Sequence, residues 1–313
     1  MNTKSKKKLL LTGGGGAGVE ALNRLWSDTY DVYVADAVIE AIPATVNSQR
    51  KVCIPLATAD GFVSEMVSIC KEKGIDIIVP TVDEELLSIP TITDQVRGLK
   101  ALLPAPHFVE TMLDKYTTAI AWSEAGLSAP TTWLGSEIEE AEFPCIIKPR
   151  RGRGSRGVMV IPDIEAARAY FVLHAINPQD TILQELLIGQ EYTVLVAANS
   201  MGNLTAVVPV KVGEKRGVTL RAQTEENDAI VAAIKSFHEN NITSGAYNVQ
   251  LILCDDGQVR SFEINPRLST TTCLVIAAGV DPVSIFESDI RSEHLLTFQQ
   301  GLHLNRYWMN HIQ

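Results

Sequence analysis

The first hundred residues alternate short apolar runs with segments of helical period, and this alternation leaves few folds open. The runs fall at residues 8–11, 32–35, 51–54, 75–79 and 99–103. Short strands of this kind, separated by helical segments, belong to a parallel sheet covered by helices on both faces. Between two of the runs, residues 60–73 set Phe62, Val63, Met66, Val67, Ile69 and Cys70 largely along one helical stripe, and Gly74 caps the helix before the next strand. The region reads strand–helix–strand.

A second region opens near Pro104 and Pro106. It contains a helix at residues 114–125 stopped by Gly126, a Pro-marked strand, the run 143–149, a Gly/Arg-rich loop, a short strand and a helix at 163–174. After Asp180 the texture changes to longer β-type runs (182–187, 192–197, 204–212, 247–253, 259–264) interrupted by one helix at 225–240. That is an antiparallel sheet backed by helices, an α+β texture distinct from the α/β start. With 46% hydrophobic and 20% charged residues, 313 residues can bury more than one core.

Composition also removes several function classes. A net charge of −10 disfavours a general grip on nucleic acid or an anionic membrane, and only residues 150–156 concentrate positive charge. Cys53, Cys70, Cys145, Cys254 and Cys273 are odd in number and widely spread, which suggests neither a disulfide framework nor a zinc knuckle. No run approaches the roughly 20 apolar residues of a membrane span, and the apolar stretch after the Lys4–Lys8 run is too short for a secretion signal. The expected compartment is the cytoplasm. His107, His174, His238, His294, His303 and His311 lack ligand spacing and receive no role.

Four motifs carry chemistry. The glycine-rich turn Gly13–Gly18 lies between a strand and a helix, and Asp36 ends the next strand, as in a dinucleotide fingerprint. The same geometry serves any first βα turn. Next, an apolar strand delivers Lys148 to a loop containing Gly152, Gly154 and Ser155, where a point charge and approachable main chain suit a triphosphate; a solvated basic loop is the alternative. Third, Gln184, Glu185, Leu186 and Leu187 precede Gly189 and Glu191; exposed backbone there suits an adenine edge and Glu191 suits ribose hydroxyls, although a surface hairpin alone explains the pattern better.

The fourth motif is the strongest. Two strands joined by Asp255-Asp256-Gly257 form a hairpin whose alternation puts Glu263 and Asn265 on one face, with Gln250 able to lie opposite. Such oxygens suit Mg²⁺, which takes its remaining ligands from phosphates and water. Arg267, on the same side, suits a phosphate or a substrate carboxylate. Polar residues facing inward on an apolar hairpin are costly to bury without a task.

In this order and spacing, with residues 80–86 and Asp114-Lys115, the motifs resemble the ATP-grasp superfamily, nearest to the synthetase units of the carbamoyl-phosphate synthetase large subunit. The resemblance covers nearly the whole chain. It implies a Rossmann-like domain over residues 1–105 that binds no dinucleotide, a small lid subdomain over 106–182, and a large subdomain with the metal site over 183–313. It implies that Lys115 and Lys148 contact phosphates, that Glu185 and Leu187 border the adenine with Gln184 nearby, and that Glu191 meets the ribose. It implies that Gln250, Glu263 and Asn265 ligate Mg²⁺ (or Mn²⁺), with Arg267 at the reacting phosphate. Glutamine at 250, where many relatives carry an acid, removes one negative charge from the metal site.

The expected activity is that of an ATP-dependent carboxylate–amine ligase, forming an amide through an acyl phosphate, with small-molecule substrates, no nucleic acid or membrane partner, and a homodimer left open. Catalysis rests on positioning and charge, with Lys115, Lys148 and Arg267 around the transferring phosphoryl group. Asp83, Glu84, Lys211, Arg216 and Arg221 are the expected substrate contacts, with Lys215 in the same basic segment as the last three; for that segment a solvated basic loop competes, and for Asp83 and Glu84 a helix N-terminal role. One synthetase unit's length leaves two related alternatives, a single subunit acting with a partner chain and a non-catalytic nucleotide-binding module. A NAD-dependent oxidoreductase would explain Gly13–Gly18 and leave the Glu263/Asn265 hairpin unexplained.

Overall fold

The computed structural model describes residues 5–288 and 294–308; of the sequence features above, Lys4 and His311 lie outside them. The first domain is the expected parallel sheet. Its strands β1 (Lys8–Leu11), β2 (Asp31–Asp36), β3 (Lys51–Cys53), β4 (Ile77–Val79) and β5 (Lys100–Ala101) run in the order β3-β2-β1-β4-β5. Helices α1 (Val19–Trp26), α2 (Phe62–Lys73) and α3 (Ile89–Asp94) complete it. The central strand shows why both faces had to be apolar: Leu10 packs with Met66 of α2, whereas Leu9 and Leu11 pack with Trp26 of α1. That second face shares its core with residues far along the chain, among them Leu195, Val208, Leu274 and Phe286.

Helices α4 (Pro106–Met112) and α5 (Lys115–Glu124) lead to a small sheet of β6 (Thr132–Leu134), β7 (Cys145–Pro149), β8 (Met159–Ile161) and, after α6 (Ile164–His174), β9 (Thr181–Glu185). The strand order is β6-β9-β7-β8, and every pairing is antiparallel. Strands β10 (Gly189–Ala198), β11 (Leu204–Arg216) and β12 (Val218–Thr224) follow. After α7 (Asp228–Asn240) come β13 (Gly245–Cys254), β14 (Val259–Asn265), α8 (Thr272–Ala277), α9 (Pro282–Glu287) and β15 (His303–Asn305). The described strands of this large antiparallel sheet run β14-β13-β10-β11-β12-β15.

Three expectations need correction. Helices α4 and α5, expected in the 106–182 subdomain, belong to the large sheet's core, where Trp122 stacks on Phe237 of α7 at 5.1 Å and Phe108 lies 6.3 Å from the same ring. The small sheet's own core is covered by α6 through Ala167 and Tyr170. The expected 182/183 boundary cuts through β9, whose register extends to Glu185 with β7 and to Gln184 with β6. Residues 211–221, read as a strand end followed by a basic loop, form a β-hairpin of β11 and β12 turning at Gly217.

Phe237 is fully buried between two aromatic partners on different helices. Phe237→Ala should lower unfolding stability by about 3–5 kcal/mol, measured by urea denaturation; a loss below about 1 kcal/mol would mean that α4 and α5 are not fixed on the large sheet.

Candidate active site

All three units contribute to one cavity of about 630 Å³. The glycine turn and Thr81–Val82 come from the first domain, the Lys148 strand and its loop from the small sheet, and the Glu263 hairpin from the large sheet. Lys115, Lys148, Gly152, Gly154, Ser155, Gln184, Glu185, Leu187, Glu191, Gln250, Glu263, Asn265 and Arg267 all line it. Leu186, Asp83, Glu84, Lys211, Arg216 and Arg221 do not.

Lys148 sits on the inner side of β7, only 4% exposed. Its ammonium donates to Gln184 Oε1 at 2.8 Å and to the Phe262 carbonyl at 3.0 Å, and lies 5.3 Å from the Phe262 ring centroid. Burial pulls its pKa down to about 8; Glu263 opposes this, while Lys115 and Lys215 reinforce it. Lys115 opens α5, donates to the Gly152 carbonyl at 2.8 Å and stands 3.5 Å from Glu263 Oε1. Lys215, from β11, donates to Glu191 at 2.6 Å and to Gln250 Oε1 at 3.2 Å. Three lysines from three elements therefore converge on one space.

The loop after Lys148 is tied down at its root. Asp114 caps α5 by accepting from the Tyr116 N–H at 2.9 Å, and the same carboxylate receives Arg150 Nη2 at 2.6 Å. Further out, Gly152, Gly154, Ser155 and Gly157 all take positive φ, a path that glycine permits at little cost. This path brings the Gly152 carbonyl onto Lys115, while Arg153 and Arg156 of the same loop also line the cavity.

The Glu185 side chain is engaged within the protein. Its carboxylate is gripped by Arg260 through two N–H···O bonds of 2.6 Å and also accepts from the Thr131 N–H at 3.0 Å. Arg260 holds its carboxyl below the usual range. Main chain leaves the strand ladder at residues 186–188, so backbone rather than this carboxylate is what the segment offers a ring edge.

The metal expectation can be tested on the donor set. Gln250 and Glu263 are cross-strand partners, as are Asn248 and Asn265. In the cavity wall each proposed ligand oxygen faces a cation: Gln250 faces Lys215, Glu263 faces Lys115, and Asn265 Oδ1 receives Arg267 Nη2 at 3.4 Å. Hard oxygens carrying one formal charge fit Mg²⁺ that arrives with phosphate oxygens. Among the described residues no cluster of three or more His, Cys, Asp or Glu forms a metal cage.

The remaining expected contacts are placed elsewhere. Asp83 pairs with Arg267, and Glu84 accepts from Arg153 at 3.1 Å. Lys211 pairs with Glu225, while Arg216 and Arg221 lie at the surface and both approach Glu214. Lys215, read from the sequence with the other cations of residues 211–221 as a site for a substrate anion, stands instead beside Glu191 and Gln250 on the same cavity as Lys115 and Lys148. The signal for that placement was Gly213: a glycine inside a strand marks a bulge, and β11 shifts register on both sides of Glu214, turning Lys215 into the cavity. The oxidoreductase alternative also loses its anchor, because Asp36 already accepts from the Gly15 and Val38 N–H groups at 2.8 and 2.9 Å.

Comparison with known proteins agrees with this layout. A family model described as an ATP-grasp domain matches residues 112–271, and one described as a PylC-like N-terminal domain matches residues 9–101. The formate-dependent phosphoribosylglycinamide formyltransferase of Ignicoccus hospitalis is 25% identical over 301 residues, 88% of this chain and 73% of that protein. The carbamoyl phosphate synthase large chain of Gemmatimonas aurantiaca is 24% identical over 90% of this chain, which spans 28% of its length. Among solved structures, the L-amino acid ligase from Bacillus licheniformis superposes with a TM-score of 0.67 at 17% identity, covering 92% of this chain and 78% of that one, a likeness of fold.

If Lys148 meets phosphate, its depressed pKa sets a pH dependence. The free ammonium loses its proton as pH rises through about 8, whereas bound phosphate favours the charged form. Nucleotide affinity should therefore be full below pH 8 and fall above it by at most about tenfold per pH unit, read by calorimetric titration. A flat profile across that range would remove Lys148 from the phosphate site.

Proposed function

We propose, for a chain that belongs to the ATP-grasp family of ATP-dependent ligases, that it joins a carboxylate to a nitrogen nucleophile while converting ATP to ADP and phosphate. The observation that carries this reading is the convergence of Lys115, Lys148, Lys215 and Arg267 with Gln250, Glu263 and Asn265 on one cavity, closed above by a glycine-rich loop and bounded by the first domain's glycine turn.

The chemistry follows from charge. A carboxylate oxygen attacks the terminal phosphorus and ADP leaves; the amine then attacks the acyl carbon, phosphate leaves, and the nitrogen gives up a proton. Lys115, Lys148 and Lys215 are placed to offset the charge spread over the phosphate oxygens. Gln250, Glu263 and Asn265 are the residues that would hold Mg²⁺, which supplies Lewis-acid polarisation when bound. Main chain at Glu185, Leu186 and Leu187 suits the adenine, and Glu191 suits the ribose once Lys215 shifts to phosphate. The loop bearing Gly152, Gly154 and Ser155 keeps water from an acyl phosphate that it would otherwise hydrolyse.

The carboxylate and amine have their natural place at the other end of the cavity, beside Gly15–Gly18, Thr81 and Thr270. A Cβ on Gly18 would stand 3.2 Å from the Thr270 main chain, a close approach of the first domain's turn to the large-sheet domain. Release of ADP from Mg·ATP, measured across a panel of carboxylates with and without amines, should be amine-dependent and accompanied by a new amide in the mass spectrum. Glu263→Gln should lower it by at least about a hundredfold. Near-normal turnover in that variant would remove Glu263 from the reaction, and ADP release with bicarbonate alone would favour a carbamoyl-phosphate-type reaction.

A further inference from the structure

Asp83, Glu84 and Glu85 form one 3-10 turn after β4, and each carboxylate reaches a different part of the molecule. Glu85 points inward. Its Oε1 accepts from the Thr12 hydroxyl and from the Thr81 and Val82 N–H groups, the latter two at 3.0 and 3.1 Å. Burial raises its carboxyl to about 7, and these donors oppose that rise. The Thr81 hydroxyl donates to the Thr12 carbonyl at 2.8 Å, and a Cβ on Gly13 would lie 2.5 Å from that hydroxyl. The turn is thereby fixed to the end of the central strand with no room to slide.

From this fixed turn Asp83 accepts from Arg267 Nε, across 184 residues of sequence. The guanidinium is further held by the Leu268 carbonyl at 3.1 Å and by Asn265 Oδ1 at 3.4 Å. Three of its five N–H donors are thus engaged. Among the described residues the other two have no protein acceptor, and Arg267 lines the cavity. An arginine side chain left to itself loses much rotamer freedom on gripping a ligand, whereas one already held does not.

We infer that Asp83 is a positioning residue: anchored through Glu85 to the first domain, it holds the Arg267 guanidinium with its two remaining N–H groups toward the nucleotide's terminal phosphate. The inference rests on the ligase reading above. It assigns the first domain a part in phosphate recognition through one carboxylate, rather than through its glycine turn.

The test is calorimetric titration of the full chain with a non-hydrolysable Mg·ATP analogue and with Mg·ADP. The unaltered protein should prefer the analogue. Asp83→Asn and Asp83→Glu should each weaken analogue binding by about tenfold while ADP affinity stays within about twofold. Asp83→Glu keeps the charge, so it remains informative if Asp83→Asn does not fold, and its extra methylene displaces the guanidinium from an immobile turn. Equal losses for both nucleotides, or a full preference retained in Asp83→Glu, would overturn the inference. Equal affinities in the unaltered protein would take Arg267 away from the terminal phosphate and overturn it too, leaving the ligase reading standing; binding of neither nucleotide would sink both.

Discussion

Three ammonium groups brought into one cavity repel each other, and the surrounding structure is an arrangement for containing that repulsion. Each lysine has its own compensation: Gln184 and the Phe262 carbonyl for Lys148, Glu263 for Lys115, Glu191 for Lys215. Lys148 is so enclosed that burial weakens its charge, and its contacting partners are dipoles rather than a carboxylate. A polyanion entering the cavity would supply the missing negative charge.

The first domain was readable because its chemistry is local. Short strands buried on both faces can scarcely be anything but a parallel sheet, and the structure differs from the reading mainly in where strands end: β4 begins at Ile77 and β5 keeps only Lys100–Ala101. The Glu263/Asn265 hairpin was readable for a related reason, since alternation fixes which residues share a face, and only the shift between Gln250 and Leu251 perturbs it. What escaped was long-range. Nothing in the period of α5 says whether Trp122 will meet the small sheet or Phe237, because both partners lie beyond the helix's own sequence. Likewise β15 pairs with β12 across some eighty residues.

At the site, residue types were legible and their engagements were not. Glu185 lines the cavity as a motif reading expects, yet Arg260 occupies its carboxylate. Asp83 read as a substrate contact or a helix N-terminal charge, and only the folded chain shows Arg267 opposite it. Lys211 and Lys215 differ by four residues and by a bulge, and the bulge decides which one faces Glu225 and which one faces the cavity. Sequence supplied the charges; pairing among them is a property of three dimensions.

Arg260 has a further consequence for motion. The small sheet joins the rest of the molecule through two chain crossings, one ahead of β6 and one after β9, and these two strands are neighbours in the sheet. Arg260 binds both crossings at once, through the Ala129 carbonyl at 2.8 Å and the Glu185 carboxylate. Two adjacent attachments pinned by one guanidinium anchor the sheet along its β6–β9 edge, while the Arg150–Asp114 pair and the Lys148 bond to the Phe262 carbonyl tie β7 and the loop after it to α5 and β14.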